Sequence, residues 1–226
     1  FMNKYDVNDG VILLENLYAH NQLVFIFQGL DAIDFQNKMI IHHDWIIDEI
    51  DQFKYDVLKD EIYKNGVNRE LSSKIKDKLN YSIKLQVDYK QIKIDSVNSF
   101  AWVGRGYPYR WIAMYKDEKE LYSTPSRAWE AFELNIKNFM DDVVISNHFR
   151  KIDKIKFQND EVKILRGLYE HELSETGGPF ITYMFDVKGS NDLILVTGFV
   201  NNPGKNKLRL LNELEAIIRT TNYGDI

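Results

Sequence analysis

The sequence predicts an α+β protein in which a largely antiparallel sheet carries long amphipathic helices packed on one face. Three observations lead there. From Tyr81 onward, apolar residues recur at a period of two over short segments, as they do in half-buried strands. Long stretches elsewhere repeat apolar residues every three to five positions, the pattern of a helix with one buried stripe. Most links between the strand segments are too short for the crossover that parallel strands need, so the strands pair antiparallel.

Taken in order, Val11, Ile12, Leu14 and Leu17 suggest a short helix after the Asn8-Asp9-Gly10 break. Leu23 to Phe27 is apolar throughout and bounded by polar residues and Gly29, which reads as a buried strand. A long helix is predicted from Phe35 to Tyr63, with Ile46, Ile50, Phe53, Val57 and Ile62 as its stripe. Gly66 ends it, because glycine accepts the left-handed conformation found just past helix termini. Leu71, Ile75 and Leu79 define a second helix. Strand character then covers Ser82 to Ile94, Ser99 to Val103 and Arg110 to Tyr115, with a turn at Gly104 to Pro108. Thr124 and Pro125 open another helix, a hydroxyl cap followed by a first-turn proline, with Trp129, Phe132, Ile136, Phe139 and Val143 as its stripe. Strands follow at Val162 to Tyr169, Phe180 to Val187 and Leu193 to Val200, the last two joined by a short loop at Gly189 to Asp192. A final helix, capped by Asn202 with Pro203 in its first turn, buries Leu210, Leu211, Leu214, Ile217 and Ile218. The chain thus divides into a helix-rich subregion, 1–80, and an antiparallel sheet with two helices, 81–226, within one compact body.

Composition narrows the function classes. Apolar residues make up 44% and aromatic residues 13% of the 226 positions, ample for a core. A net charge of -5, with both signs interspersed and no basic block, argues against nucleic acid as a partner. The absence of cysteine excludes disulfides, thiolate zinc sites and a cysteine nucleophile. No run of about 18 apolar residues is present to span a membrane as a helix. Phe1-Met2-Asn3 opens without a charged segment and apolar core, so no signal peptide is visible, and a chain starting with Phe reads as a processed or trimmed product.

Candidate chemistry is sparse. His42 and His43, with Asp44 and Asp48, are the nearest approach to a metal cluster, but adjacent helical histidines point about 100° apart and cannot readily share one ion. His171 between Glu170 and Glu172 lies on a strand, where its neighbours face the other side, and reads as a solvated edge. No nucleophile elbow, phosphate loop or dinucleotide fingerprint is present. No catalytic residue, metal ligand or cofactor is therefore assigned. The better lead is aromatic: Trp102, Tyr107, Tyr109 and Trp111, with Arg105 and Arg110 interleaved, lie on or between two adjacent strands. Core packing is the plain reading of such rings; exposed rings with arginines instead make a recognition platform for a glycan or a protein.

The C-terminal third carries a resemblance. Gly177, Gly178, Pro179 and Phe180, then a hairpin, Gly198-Phe199-Val200, Pro203-Gly204-Lys205 and Leu214-Glu215-Ala216-Ile217, resemble the pattern of the DUF4837 family, lipoproteins of Bacteroidetes. Asn98 to Val103 is similar to that family's aromatic strand, and the likeness runs from Tyr81 to Tyr223. Thr176 stands where a methionine is common and Leu208 where an arginine is common, and the family's opening strand–helix segment has no counterpart here. The glycines and prolines of this stretch (Gly177, Gly178, Pro179, Gly198, Pro203, Gly204) have a structural reading as turns, close strand approaches and helix docking. The resemblance implies a cell-envelope protein, attached to the membrane only through a lipid anchor outside these residues and facing the periplasm or cell surface. The function expected is non-enzymatic, a binding or assembly role toward an envelope protein or glycan. An envelope hydrolase acting on glycan or peptide is the alternative, and a cytoplasmic regulatory domain a third reading.

Overall fold

The computed structural model describes residues 5–8 (backbone only), 10–157, 160–171, 173 and 176–223. Phe1-Met2-Asn3, Asp9 and Glu172, which entered the sequence reading, lie outside the described residues. The chain divides into two compact units, 1–61 and 62–226. The division expected after residue 80 falls earlier because the helix Arg69–Leu79 belongs to the second unit: it buries Leu71, Ile75 and Leu79, and Asn68, its cap, donates a hydrogen bond to the Tyr89 carbonyl at 2.9 Å.

The first unit holds three antiparallel strands, β1 (Tyr5–Asn8), β2 (Val11–Glu15) and β3 (Leu23–Phe27), in that order across the sheet, followed by helices α1 (Ala32–Ile41) and α2 (His43–Ile62). β2 corrects the helix expected around Val11 to Leu17. A few apolar residues fit either period, and ladders on both sides decide for the strand, which buries Val11 and Leu13. The long helix predicted from Phe35 to Tyr63 is likewise two helices. Asp31 caps α1 by accepting from the Ile33 and Asp34 amides at 2.9 Å, and the chain breaks at His42, which is buried near the Trp45 ring. Of the predicted stripe only Ile62 is buried; Ile50 is exposed.

The second unit is built on a seven-stranded antiparallel sheet. Its strands are β4 (Lys90–Asp95), β5 (Phe100–Arg105), β6 (Tyr109–Glu118), β7 (Val143–Phe157), β8 (Asp160–His171), β9 (Thr176–Asp186) and β10 (Asp192–Asn201), in the spatial order β4-β5-β6-β10-β9-β8-β7. Helix α3 (Arg69–Leu79) precedes the sheet, α4 (Pro125–Phe139) links β6 to β7, and α5 (Leu208–Ile218) follows β10. The α+β class therefore holds, but the helices are shared between the two faces. Phe132 and Ile136 of α4 pack with Tyr115, Phe180, Leu195 and Phe199 on one side. On the other, Gly198 faces Leu214 of α5, because neighbouring strand residues point to opposite faces.

Local signals explain most of these elements. The Thr124 hydroxyl accepts from the Arg127 amide, and Pro125 occupies the first turn of α4 as predicted. Val143, expected on the α4 stripe, instead begins β7, because α4 ends at Phe139 with Met140 extended and Asp142 left-handed in the turn that follows. Residues 82–89 alternate in burial (Ile83 and Leu85 inside) yet form only isolated bridges, since no strand lies alongside to complete a ladder. Asn202 and Pro203 do not open α5: Gly204 at φ +68 places them in a turn, and Asn206 accepts from the Leu208 amide at 2.8 Å where the helix starts.

Candidate functional site

The β5–β6 hairpin brings the six predicted site residues together but divides them between the two faces of the sheet. Alternation places Trp102, Tyr109 and Trp111 on the α4 face and Arg105 and Arg110 on the α5 face. Tyr107 lies in the connecting turn, exposed, edge to face with the exposed Tyr109 at 5.9 Å, and the Lys205 ammonium lies 5.7 Å from its ring centre.

On the α4 face, Trp111 is the hub of a ring cluster. Its centroid lies 6.0 Å from Trp102, 6.0 Å from Tyr169 and 6.2 Å from His171. Tyr169 and His171 come from β8, two strands beyond β6's neighbour, so the side chains meet over the intervening backbone. Glycine makes the room. A Cβ on Gly104 would come within 2.6 Å of the Trp111 ring, and one on Gly178 would strike the Val200 carbonyl at 1.9 Å. Gly177 and Gly178 thus answer to close strand approach, not to unusual backbone angles. Four buried polar atoms here lack a hydrogen-bond partner: Trp102 Nε1, the Tyr169 hydroxyl, His171 Nδ1 and Asn201 Oδ1. Such groups cost about 1–3 kcal/mol each when left unpaired. Burial pushes the Tyr169 hydroxyl above the usual tyrosine value, so it remains a donor.

On the opposite face, Arg110 is almost fully buried and paired with Glu213 of α5. Arg105 is ion-paired with Asp88 and donates to Gln86 Oε1 at 2.9 Å. Burial draws the Arg110 guanidinium below the usual arginine value, with Glu213 opposing that pull.

The structure corrects the solvated edge expected at His171: β8 lies inside the sheet between β9 and β7, and the His171 ring packs on Trp111. Sequence reasoning also missed Tyr169, Asn201, Tyr89 and Glu213 as members of these clusters. Only the period-two spacing of Tyr169 and His171 offered a signal. His42 and His43 do not share a site: His42 is buried at the helix break, whereas His43 is exposed with Nδ1 3.0 Å from Asp44. Among the described residues no group of three His, Cys, Asp or Glu could hold a metal ion, and no helix is long and apolar enough to cross a membrane.

Fold and site together define an α+β domain with an aromatic cluster at one end of an antiparallel sheet. The chain belongs to the family described as domain of unknown function DUF4837, whose sequence model matches residues 68–220. No curated protein matches it. Solved structures do, among them a crystal structure from Bacteroides thetaiotaomicron VPI-5482 at 1.50 Å resolution, with a TM-score of 0.38 and 9% identity; the match covers 63% of this chain and 44% of that chain.

Proposed function

We propose that this domain is a non-enzymatic binding module of the cell envelope, tethered by a lipid outside these residues, whose ligand is a glycan. The observation that carries the reading is the Trp111 cluster. Aromatic faces pack against the C–H face of a pyranose, while unpaired donors and acceptors at Trp102, Tyr169, His171 and Asn201 suit hydroxyls that both donate and accept. The exposed pair Tyr107 and Tyr109, with Lys205, extends the patch at its rim. Family resemblance supports the envelope address.

Intrinsic tryptophan fluorescence over a panel of cell-wall and plant oligosaccharides tests the ligand class. A saturable change is expected with at least one of them, and Trp111→Ala should weaken it at least about tenfold, the loss of one stacking contact with its packing. Silence across the panel, or unaltered binding by Trp111→Ala, rejects the reading. The tether is tested separately by palmitate labelling of the full-length protein in cells, where an unlabelled product would reject it.

A further inference from the structure

The α5 face of the same hairpin carries a second polar cluster that the glycan reading does not use. Arg105 and Arg110 are direct cross-strand partners, an arrangement that is unfavourable for like charges unless something compensates. Asp88 and Glu213 supply one carboxylate each, and Arg209 also approaches Glu213 at 3.5 Å, so three guanidiniums meet two carboxylates and one positive charge is left over. The hydrogen bonds do not balance either. Arg105 Nε, Arg110 Nε and the Tyr89 hydroxyl are all buried without a partner. Tyr89 is itself almost fully buried, and its hydroxyl feels Arg110, Arg105, Asp88 and Glu213. Its backbone is pinned on both sides, the amide to Gln86 O at 3.1 Å and the carbonyl to Asn68 at 2.9 Å. A guanidinium Nε–H can only donate. The three unmatched groups therefore call for an acceptor.

We propose that Tyr89, Arg105 and Arg110 form a binding site for a carboxylate group. A carboxylate offers two oxygens with about four acceptor positions, enough for three donors. It brings one negative charge, whereas a phosphate dianion would place two beside Asp88 and Glu213 in a buried setting, where unpaired charge is costly. The half-exposed side of the cluster, at Arg105 and Asp88, gives solvent access.

The experiment is thermal unfolding and calorimetric titration of the whole chain at pH 7 in acetate, phosphate or chloride at matched ionic strength. Acetate should raise the melting temperature by about 2–4 °C over chloride at saturating concentration. Tyr89→Phe removes only the hydroxyl. In chloride it should be at least as stable as the parent, because an unpaired buried hydroxyl is lost. In acetate it should lose most of the gain, with affinity weaker by about tenfold. Four results overturn the proposal: no acetate effect beyond chloride, equal shifts in parent and variant, phosphate outperforming acetate, or a destabilised variant in chloride, which would mean that the hydroxyl already has a partner in the protein. None of these depends on the glycan panel, so the two readings fail separately.

Discussion

At Gly178 and Gly198 the neighbouring atoms leave no room for a side chain. A methyl group at Gly178 would meet the Val200 carbonyl at 1.9 Å, and that carbonyl is backbone, which cannot rotate aside as a flexible side chain can. Gly178→Ala is expected to cost at least about 3 kcal/mol in urea denaturation, the upper range for overpacking. At Gly198 the added carbon would face Leu214 Cβ at 2.9 Å, and α5 can shift a little, so Gly198→Ala should cost only about 1–3 kcal/mol. Phe180 over Gly167, Trp111 over Gly104 and Tyr169 beside Gly178 repeat one device, a large ring lying over a glycine on the paired strand. The Gly-Gly-Pro-Phe run was legible as structural, but its physical cause was not, because the carbonyl that forbids a side chain lies across the sheet on β10. Alternation likewise put Trp111 on one face, yet it could not bring Tyr169 and His171 against it from β8.

At the scale of elements, Arg110 and Glu213 join β6 to α5 in a nearly dry environment, and Arg209 approaches Glu213 from the next turn at 3.5 Å. Removing one partner strands the other charge: Glu213→Ala should cost about 3–5 kcal/mol. Replacing both together, Arg110→Met with Glu213→Leu, should recover most of that loss, and a double-mutant cycle by denaturant titration measures the difference. Where helix signals were strong, as in the Leu71, Ile75, Leu79 stripe or the Thr124–Pro125 start of α4, elements were legible from sequence. They were misread where tertiary pairing decides: β2 is a strand because β1 and β3 flank it, and residues 82–89 lack a ladder because no strand lies alongside. The real start of α5 hinges on Gly204, whose left-handed conformation the preceding Asn-Pro pair masks.

At the scale of the molecule, the family match over 68–220 falls wholly within the unit formed by 62–226. That unit hides an unusual amount of phenol. Tyr81, Tyr89, Tyr115, Tyr122, Tyr169 and Tyr183 are all held above the usual tyrosine value, burial being the main cause in each. In the unfolded chain these groups ionise near pH 10, whereas the folded chain keeps its protons to higher pH. Above about pH 10 the unfolded state binds fewer protons, so stability is fully present below that value and falls as pH rises. The expected slope is about 1.4 kcal/mol per pH unit for each such tyrosine. Denaturant midpoints between pH 8 and pH 11.5 check it, and a flat profile would contradict the burial of these rings.

The two outer strands, β4 and β7, share a defect whose consequence concerns what the molecule avoids. Each loses register once: β4 between Gln91 and Lys93, and β7 between Ile145 and Arg150. Each also carries lysines, Lys90 and Lys93 on one, Lys151, Lys154 and Lys156 on the other. A smooth outer strand of fifteen residues would offer a foreign chain a template for pairing. The bulges bend that template, and the lysines charge it. A chain straightened by deleting 147–149, so that the step from Ile145 to Arg150 matches that from Tyr169 to Gly167, should therefore form higher-order species in light scattering at concentrations where the parent does not. The sheet, on this view, is shaped at its margins to stop growing.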